Sequence, residues 1–242
     1  MRLHVTGATG YLGSELARLA PRASTERVEI CDGAAVRALF ERLRPDVVIH
    51  TAYRQDAADV NTVGSESVAA AAAGVGARLV HLSTDVVFDG RKGAAYVEDD
   101  PPCPVTDYGR AKAEAEARVA AAHPAALLVR TSLLYGGAEP SKHELAARDP
   151  ELTFFTNEVR SPVHVTDLAS ALLELAEHDV VGPLHVAGAD AVSRVQFAEL
   201  LSGAAVRSAP APDTRPLDCS LDSSRAQALL RTRLRGVREV LA

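Results

Sequence analysis

The 242-residue chain is 47% hydrophobic and 24% charged, with a formal net charge of −6, the make-up of a globular protein with one sizeable core and room for a small lobe. That balance offers no clustered basic face for nucleic acid, and apolar runs such as Ala125–Val129 are far too short to cross a bilayer. Scattered Cys31, Cys103 and Cys219 read as free thiols of a reducing cytoplasm, and the histidines show no ligand spacing, which argues against a metal site.

Met1-Arg2-Leu3-His4-Val5 enters a strand directly, and no targeting segment is read ahead of it. Leu3–Thr6 then meets Gly7-Ala8-Thr9-Gly10-Tyr11-Leu12-Gly13, after which Leu12, Leu16 and Leu19 recur at helical spacing. Glycines between a strand and a helix allow a tight turn and close backbone approach, and the helix N-terminus offers free N–H groups to a pyrophosphate. Arg27–Asp32 reads as a second strand ending in an acid, where Asp32 could bind an adenosine ribose. The same residues also fit a third strand with the second missing.

Val36, Leu39, Phe40 and Leu43 predict the next helix, and Pro45 introduces the apolar strand Asp46–His50. Thr51-Ala52-Tyr53 and a short polar loop lead to an alanine-rich helix from about Ser65 to Ala73. Strand Arg78–Leu82 delivers Ser83, Thr84 and Asp85 at its carboxyl end, the end at which open parallel sheets bind ligands. A turn-rich loop over Gly90–Pro104 precedes a helix carrying Tyr108-Gly109-Arg110-Ala111-Lys112, which His123-Pro124 stops.

A tyrosine and a lysine four residues apart share one helix face. A nearby ammonium favours the phenolate, lowering a pKa that starts near ~10 and making the phenol a usable proton donor. After strand Ala126–Ser132 the pattern loosens. Pro162–Val165 and Pro183–Ala187 read as strands, Thr166 as a helix cap, Ser193 with Gln196 as a capping box, Ala209–Pro216 as a loop, and Ser223–Leu230 and Gly236–Leu241 as short helices. Alternating strands and helices imply an α/β fold with a doubly wound parallel sheet. No G-x-S-x-G elbow supports a serine hydrolase, since Ser14 lies inside the glycine turn.

Taken together, Thr6–Gly13, Arg44–Ala52, Leu82–Gly90, Tyr108–Lys112, Arg130–Gly136 and Ser161–Leu168 make the chain resemble the extended short-chain dehydrogenase/reductases. More narrowly it resembles the dTDP-4-dehydrorhamnose reductase group, which also contains the regulatory subunit of methionine adenosyltransferase. The resemblance covers almost the whole chain. It implies a Rossmann-like sheet with a small carboxyl-terminal substrate lobe: one unit over 1–242, with a dinucleotide-binding core over about 1–135 and mostly lobe over about 136–242, some segments returning to the core.

The implied activity is NAD(P)H-dependent reduction of a carbonyl on a nucleotide-linked sugar. Tyr108 would be the general acid, Lys112 would lower its pKa and bond the nicotinamide ribose, and Thr84 would orient the carbonyl. Gly7, Thr9, Gly10, Tyr11, Leu12, Gly13, Asp32, Thr51, Ala52 and Tyr53 would hold NADP or NAD, with the family leaning to NADP; Asp85 and Val86 would lie beside the substrate. A homodimer is allowed for.

The chain departs from the family pattern after its first helix, between Tyr53 and Asn61, at Val86, and over Gly137–Pro150, regions that face ligand. These departures keep two other readings open: a nucleotide-binding regulatory or scaffold subunit without turnover, and a nucleotide-sugar epimerase or dehydratase. Dehydratases usually place glutamate where Val86 stands.

Overall fold

A computed structural model describes residues 1–241. In the amino-terminal half, β1 (Leu3–Thr6), β2 (Val47–His50), β3 (Arg78–Thr84) and β4 (Leu127–Thr131) alternate with α1 (Tyr11–Leu19), α2 (Gly33–Leu43), a short α3 (Ala58–Asn61), α4 (Val63–Gly74) and α5 (Asp107–Ala122). The chain then builds β5 (Leu134–Tyr135), α6 (Lys142–Ala147), β6 (Thr153–Phe155), β7 (Val159–Arg160) and β8 (Val163–His164). Next come α7 (Val165–Leu175), β9 (Gly182–His185), β10 (Val192–Ser193), α8 (Arg194–Ser202), β11 (Arg207–Ala209), α9 (Ser224–Leu229) and α10 (Val237–Leu241).

Strands β1-β2-β3-β4-β9 form one five-stranded sheet, every neighbouring pair parallel. Parallel strands covered on both faces need apolar residues in succession, and β1, β2 and β4 are buried throughout. One face presents Val5, Ile49, Val80, Val129 and Leu184 to α1 and α7. The other presents Val48, Leu79 and Leu128 to α2 and α4. The lobe adds three small pairings, β5–β8, β6–β11 and β7–β10, around Tyr135, Val192, Phe197 and Val237. β9 returns from the lobe to the main sheet.

The sheet begins at β1. A doubly wound dinucleotide fold in the order 3-2-1-4-5-6 has two more strands beyond its first, and here only the bridge His4↔Ser24 lies outside β1. Arg27–Asp32 is therefore neither the second nor the third strand. The chain between α1 and α2 is too short to cross the sheet twice, and its apolar residues pack instead against the helices. Ile30 is buried among α2 and α4, where a Cβ on Gly64 would lie 2.7 Å from Ile30 Cδ1. Asp32 caps α2, accepting from the N–H groups of Ala34 and Ala35 at 3.0 Å.

Two smaller expectations change as well. His164, not Thr166, caps α7. Ala209 belongs to β11, which pairs with β6.

Ile30→Ala is expected to lower the unfolding free energy by about 2–5 kcal/mol, because it empties a closed contact. Glu26→Ala, which removes an exposed partner of Arg42, should cost at most about 1 kcal/mol. Urea denaturation of both variants checks the ranking, and equal losses would mean that the segment is not core.

Candidate functional site

The carboxyl ends of β1 and β2 meet at the glycine turn, and β3 lies next in the sheet. Gly7 adopts φ +71°, and a Cβ there would stand 2.6 Å from the Ala52 nitrogen. A Cβ on Gly13 would stand 2.1 Å from the Gly7 carbonyl oxygen, which also accepts from the Gly10 N–H at 2.9 Å. Side chains are excluded here by contact between backbones, as a turn that brings backbone close to a diphosphate requires. Gly10 caps α1 with no side-chain bond and the first turn carries no acid, so its N–H groups stay available to an anion.

The other expected cofactor contacts divide. Thr9 is exposed on the turn and Tyr53 is half-exposed near the Tyr108 ring, while Thr51 donates its hydroxyl to the Thr6 carbonyl at 2.7 Å. Leu12 is turned into the hydrophobic core against α7, so its side chain packs rather than faces ligand. Tyr11 ties the turn to the lobe: its hydroxyl accepts from the Gly137 N–H at 2.7 Å. Asp32 is occupied with its helix.

α5 crosses the end of β3 at close range. Thr106 caps it through the Gly109 N–H at 3.0 Å, and a Cβ on Gly109 would meet the Val86 carbonyl oxygen at 2.2 Å. The glycine inside Tyr-x-x-x-Lys thus lets the helix seat on the strand end. One turn later Lys112, 3% exposed, donates from Nζ to the Leu82 carbonyl oxygen at 2.6 Å. Burial lowers its pKa to about 8, while Glu116 pulls upward.

Tyr108 behaves differently from the sequence expectation. Burial pushes its pKa up, Tyr53 and Asp85 add to the rise, and a hydrogen bond with Thr84 opposes it. The phenol therefore holds its proton firmly at neutral pH, which suits an acid. Burial outweighs the helix neighbour here, and the Lys112 ammonium uses one of its donors on the backbone of β3. The Tyr108 and Tyr53 rings stand 6.1 Å apart.

Thr84 donates to Asp85 Oδ1 at 3.2 Å. Asp85 is 2% exposed and accepts from the Ser132 hydroxyl at 2.5 Å, with Arg160 Nε 3.7 Å away. Expected beside the substrate, Asp85 is instead buried in a polar junction that joins β3, the end of β4 and β7, because three polar neighbours surround it. Burial raises its pKa against the pull of Arg160. Val86 is partly buried next to it.

The motifs did not single out the groups that face the cleft from the lobe. Lys142 Nζ reaches Gln55 Oε1 at 3.2 Å, and Arg194 Nη1 reaches His143 Nδ1 at 3.4 Å. Arg194 opens α8 and Lys142 opens α6, which lies in the stretch Gly137–Pro150 where the chain departs from the family pattern, yet Ser141 and Glu144 form a full capping box there, and the Ser-x-x-Glu spacing is a legible start signal. Ser132 and Arg160 carry no local pattern that would mark them.

For a nicotinamide dinucleotide the residues fit on one side. The turn from Gly7 to Gly13 suits the pyrophosphate, and Thr84, Tyr108 and Lys112 suit the nicotinamide end. The adenosine end has no strand-borne acid to receive it, since the strands that would carry one are absent from the sheet. Among the described residues, no cluster of metal-binding side chains forms and no helix is long and apolar enough to cross a membrane.

A family model described as RmlD substrate binding domain matches residues 1–242. The chain is 38% identical over 220 residues to dTDP-4-dehydrorhamnose reductase of Mycobacterium tuberculosis, covering 80% of this chain and 72% of the relative. It is 30% identical over 272 residues to methionine adenosyltransferase 2 subunit beta of Xenopus laevis, covering 90% and 80%. The crystal structure of dTDP-4-dehydrorhamnose reductase from Bacillus anthracis in complex with NADP superposes with a TM-score of 0.86 at 26% identity, covering 99% of this chain and 96% of that one.

Lys112 releases its proton at about pH 8 in the fold against the ordinary 10.5. Between those values the unfolded chain binds more protons than the native one, so the contribution of this group to stability rises with pH across that window. Unfolding followed from neutral to alkaline pH should show wild type gaining stability over Lys112→Met there. Parallel curves would mean that the lysine is not held as described.

Proposed function

The chain belongs to the RmlD substrate binding domain family, and on that premise we propose that it reduces a carbonyl on a nucleotide-linked sugar with a nicotinamide cofactor. The observation that carries this reading is the convergence of Thr84, Tyr108 and Lys112 at the end of β3, next to the glycine turn. NADPH or NADH, when bound, supplies the hydride that adds to the carbonyl carbon. Gly7, Gly10 and Gly13 would pass its pyrophosphate over the α1 N-terminus, and Lys112 would bond the nicotinamide ribose.

Tyr108 would give its proton to the carbonyl oxygen as the new C–H bond forms, leaving an alcohol. A proton held tightly in the resting site is released to an oxygen that gathers negative charge, so the acid acts only when the carbonyl is reduced. Thr84 would swing its single O–H from Asp85 Oδ1, its partner in the resting site, to donate to that carbonyl oxygen. Tyr53 would close the cleft over the sugar, and burial of the donor keeps water from competing for the proton.

NADP is favoured by family, although the truncated adenosine side leaves the pyrophosphate and nicotinamide contacts to hold most of the cofactor. The setting would be cytoplasmic: the three cysteines are free, as a reducing compartment keeps them.

A nucleotide-binding subunit without turnover is the second reading, favoured by the likeness to the methionine adenosyltransferase subunit and by the missing adenosine-side strands. Tyr108→Phe separates the two. Its rate of carbonyl reduction should fall by about a hundredfold or more, with nicotinamide binding, read by fluorescence, retained. An active Tyr108→Phe protein would remove the proposed mechanism.

A further inference from the structure

This inference rests on the reading of the cleft as a site for a nucleotide-linked sugar and concerns the charged part of that ligand. Four cations converge where the lobe meets the core. Arg160 is neutralised: it lies 3.2 Å from Glu158 and 3.7 Å from Asp85, and it donates to the carbonyl oxygens of Val159, Leu217 and Pro216. Arg215 is paired with Glu158 at 2.7 Å. Glu158 is thereby shared by two arginines in direct contact and reaches Arg194 only at longer range.

Lys142 and Arg194 stand differently. Lys142 bonds only the neutral amide of Gln55, two residues from Tyr53, and Arg194 meets only the neutral ring of His143 through its side chain. Among the described residues neither has a carboxylate within ion-pair distance. Burial and the two cations hold the His143 pKa down to about 3, so the ring is neutral and can only bridge. Crowding by protein also lowers the pKa of Lys142, and Arg194 lowers it further.

Their positions make the arrangement costlier. Lys142 opens α6 and Arg194 opens α8, and the start of a helix favours anions, not cations. Arg194 is half-buried, with the carboxylates of Glu158 and Asp85 acting on it only at longer range and against Arg160 and Arg215, while Lys142 stands exposed near it. Neither cation is neutralised by a direct ion pair. Helix geometry gives no reason for them; an arriving anion does.

We propose that Lys142 and Arg194 together grip the diphosphate of the nucleotide-linked substrate, with the Arg194 guanidinium forking onto phosphate oxygens and Lys142 acting as a mobile point charge. Arginine presents paired N–H donors that match phosphate geometry, and lysine adds charge without fixed direction. The Lys142–Gln55 bond would open as the diphosphate enters, releasing Gln55 beside Tyr53 toward the sugar. The pair therefore specifies a nucleoside diphosphate over a nucleoside or a free sugar.

Calorimetric titration of the intact chain with dTDP, UDP, thymidine and NADPH tests this in wild type, Arg194→Gln, Lys142→Met, the double variant and Arg194→Lys. Each single variant should weaken dTDP and UDP by about tenfold and the double variant by more. Arg194→Lys should recover part of the loss, and the salt dependence of dTDP binding should flatten. Thymidine and NADPH affinity should not change. Unaltered dTDP and UDP affinity in the double variant, with NADPH still bound, would overturn the inference and leave the reductase reading standing. Wild type that binds neither NADPH nor a nucleoside diphosphate would remove that reading and this inference with it.

Discussion

A buried ammonium on a strand carbonyl organises the site. Lys112 Nζ and the Leu82 oxygen, 2.6 Å apart, pin α5 across β3 just before that strand ends in Thr84. The contact needs a helix able to come very close, which Gly109 permits against the Val86 carbonyl. With the helix seated, Tyr108 falls one turn nearer the cleft, over Thr84, and the rest of the chemistry is a matter of what surrounds that phenol. The same burial that holds the lysine also raises the proton affinity of the tyrosine. Lysine and tyrosine are thus coupled mainly through the backbone they brace, and only secondarily as charge on phenol.

Behind this contact lies a second polar layer. Asp85 receives Thr84 and Ser132 and faces Arg160, whose guanidinium is shared with Glu158 and three backbone carbonyls. Removing one partner of so enclosed a set leaves a charge unpaired in a low-dielectric interior, a far larger cost than any exposed pair can bring. The junction fixes where the lobe sits relative to β3. From the lobe, α6 carries Lys142 to Gln55 and α8 carries Arg194 to His143.

Much of this was legible in the residues because each feature has a local cause. Apolar runs at strand length, helical spacing of Val36, Leu39, Phe40 and Leu43, and glycines between a strand and a helix report on their own neighbourhoods. Arg27–Asp32 misled because a short apolar stretch before an acid looks the same whether it joins a sheet or fills the gap under a helix. Only the length of the connection, a property of the whole fold, decides. The direction of the Tyr108 shift was likewise hidden, since spacing along a helix shows that a lysine is near but not how deeply the phenol is buried. Asp85 looked exposed to substrate by position, and Ser132 and Arg160, distant in sequence, took it inward. α6 announces its start through the Ser141–Glu144 capping box, but its six residues are too few to show a helical period.

β1 forms the edge of the five-stranded sheet. The pyrophosphate turn and the nicotinamide end are built, whereas the adenosine end rests on a short covering segment. The measurement that tests the central claim most directly is turnover itself: purified protein mixed with NADPH and a dTDP-linked 4-keto-6-deoxysugar, with loss of nicotinamide absorbance followed alongside the sugar product. A seated α5 with a protonated Tyr108 predicts one cofactor oxidised for each alcohol formed. Cofactor that binds and stays reduced in the presence of that keto sugar would contradict it.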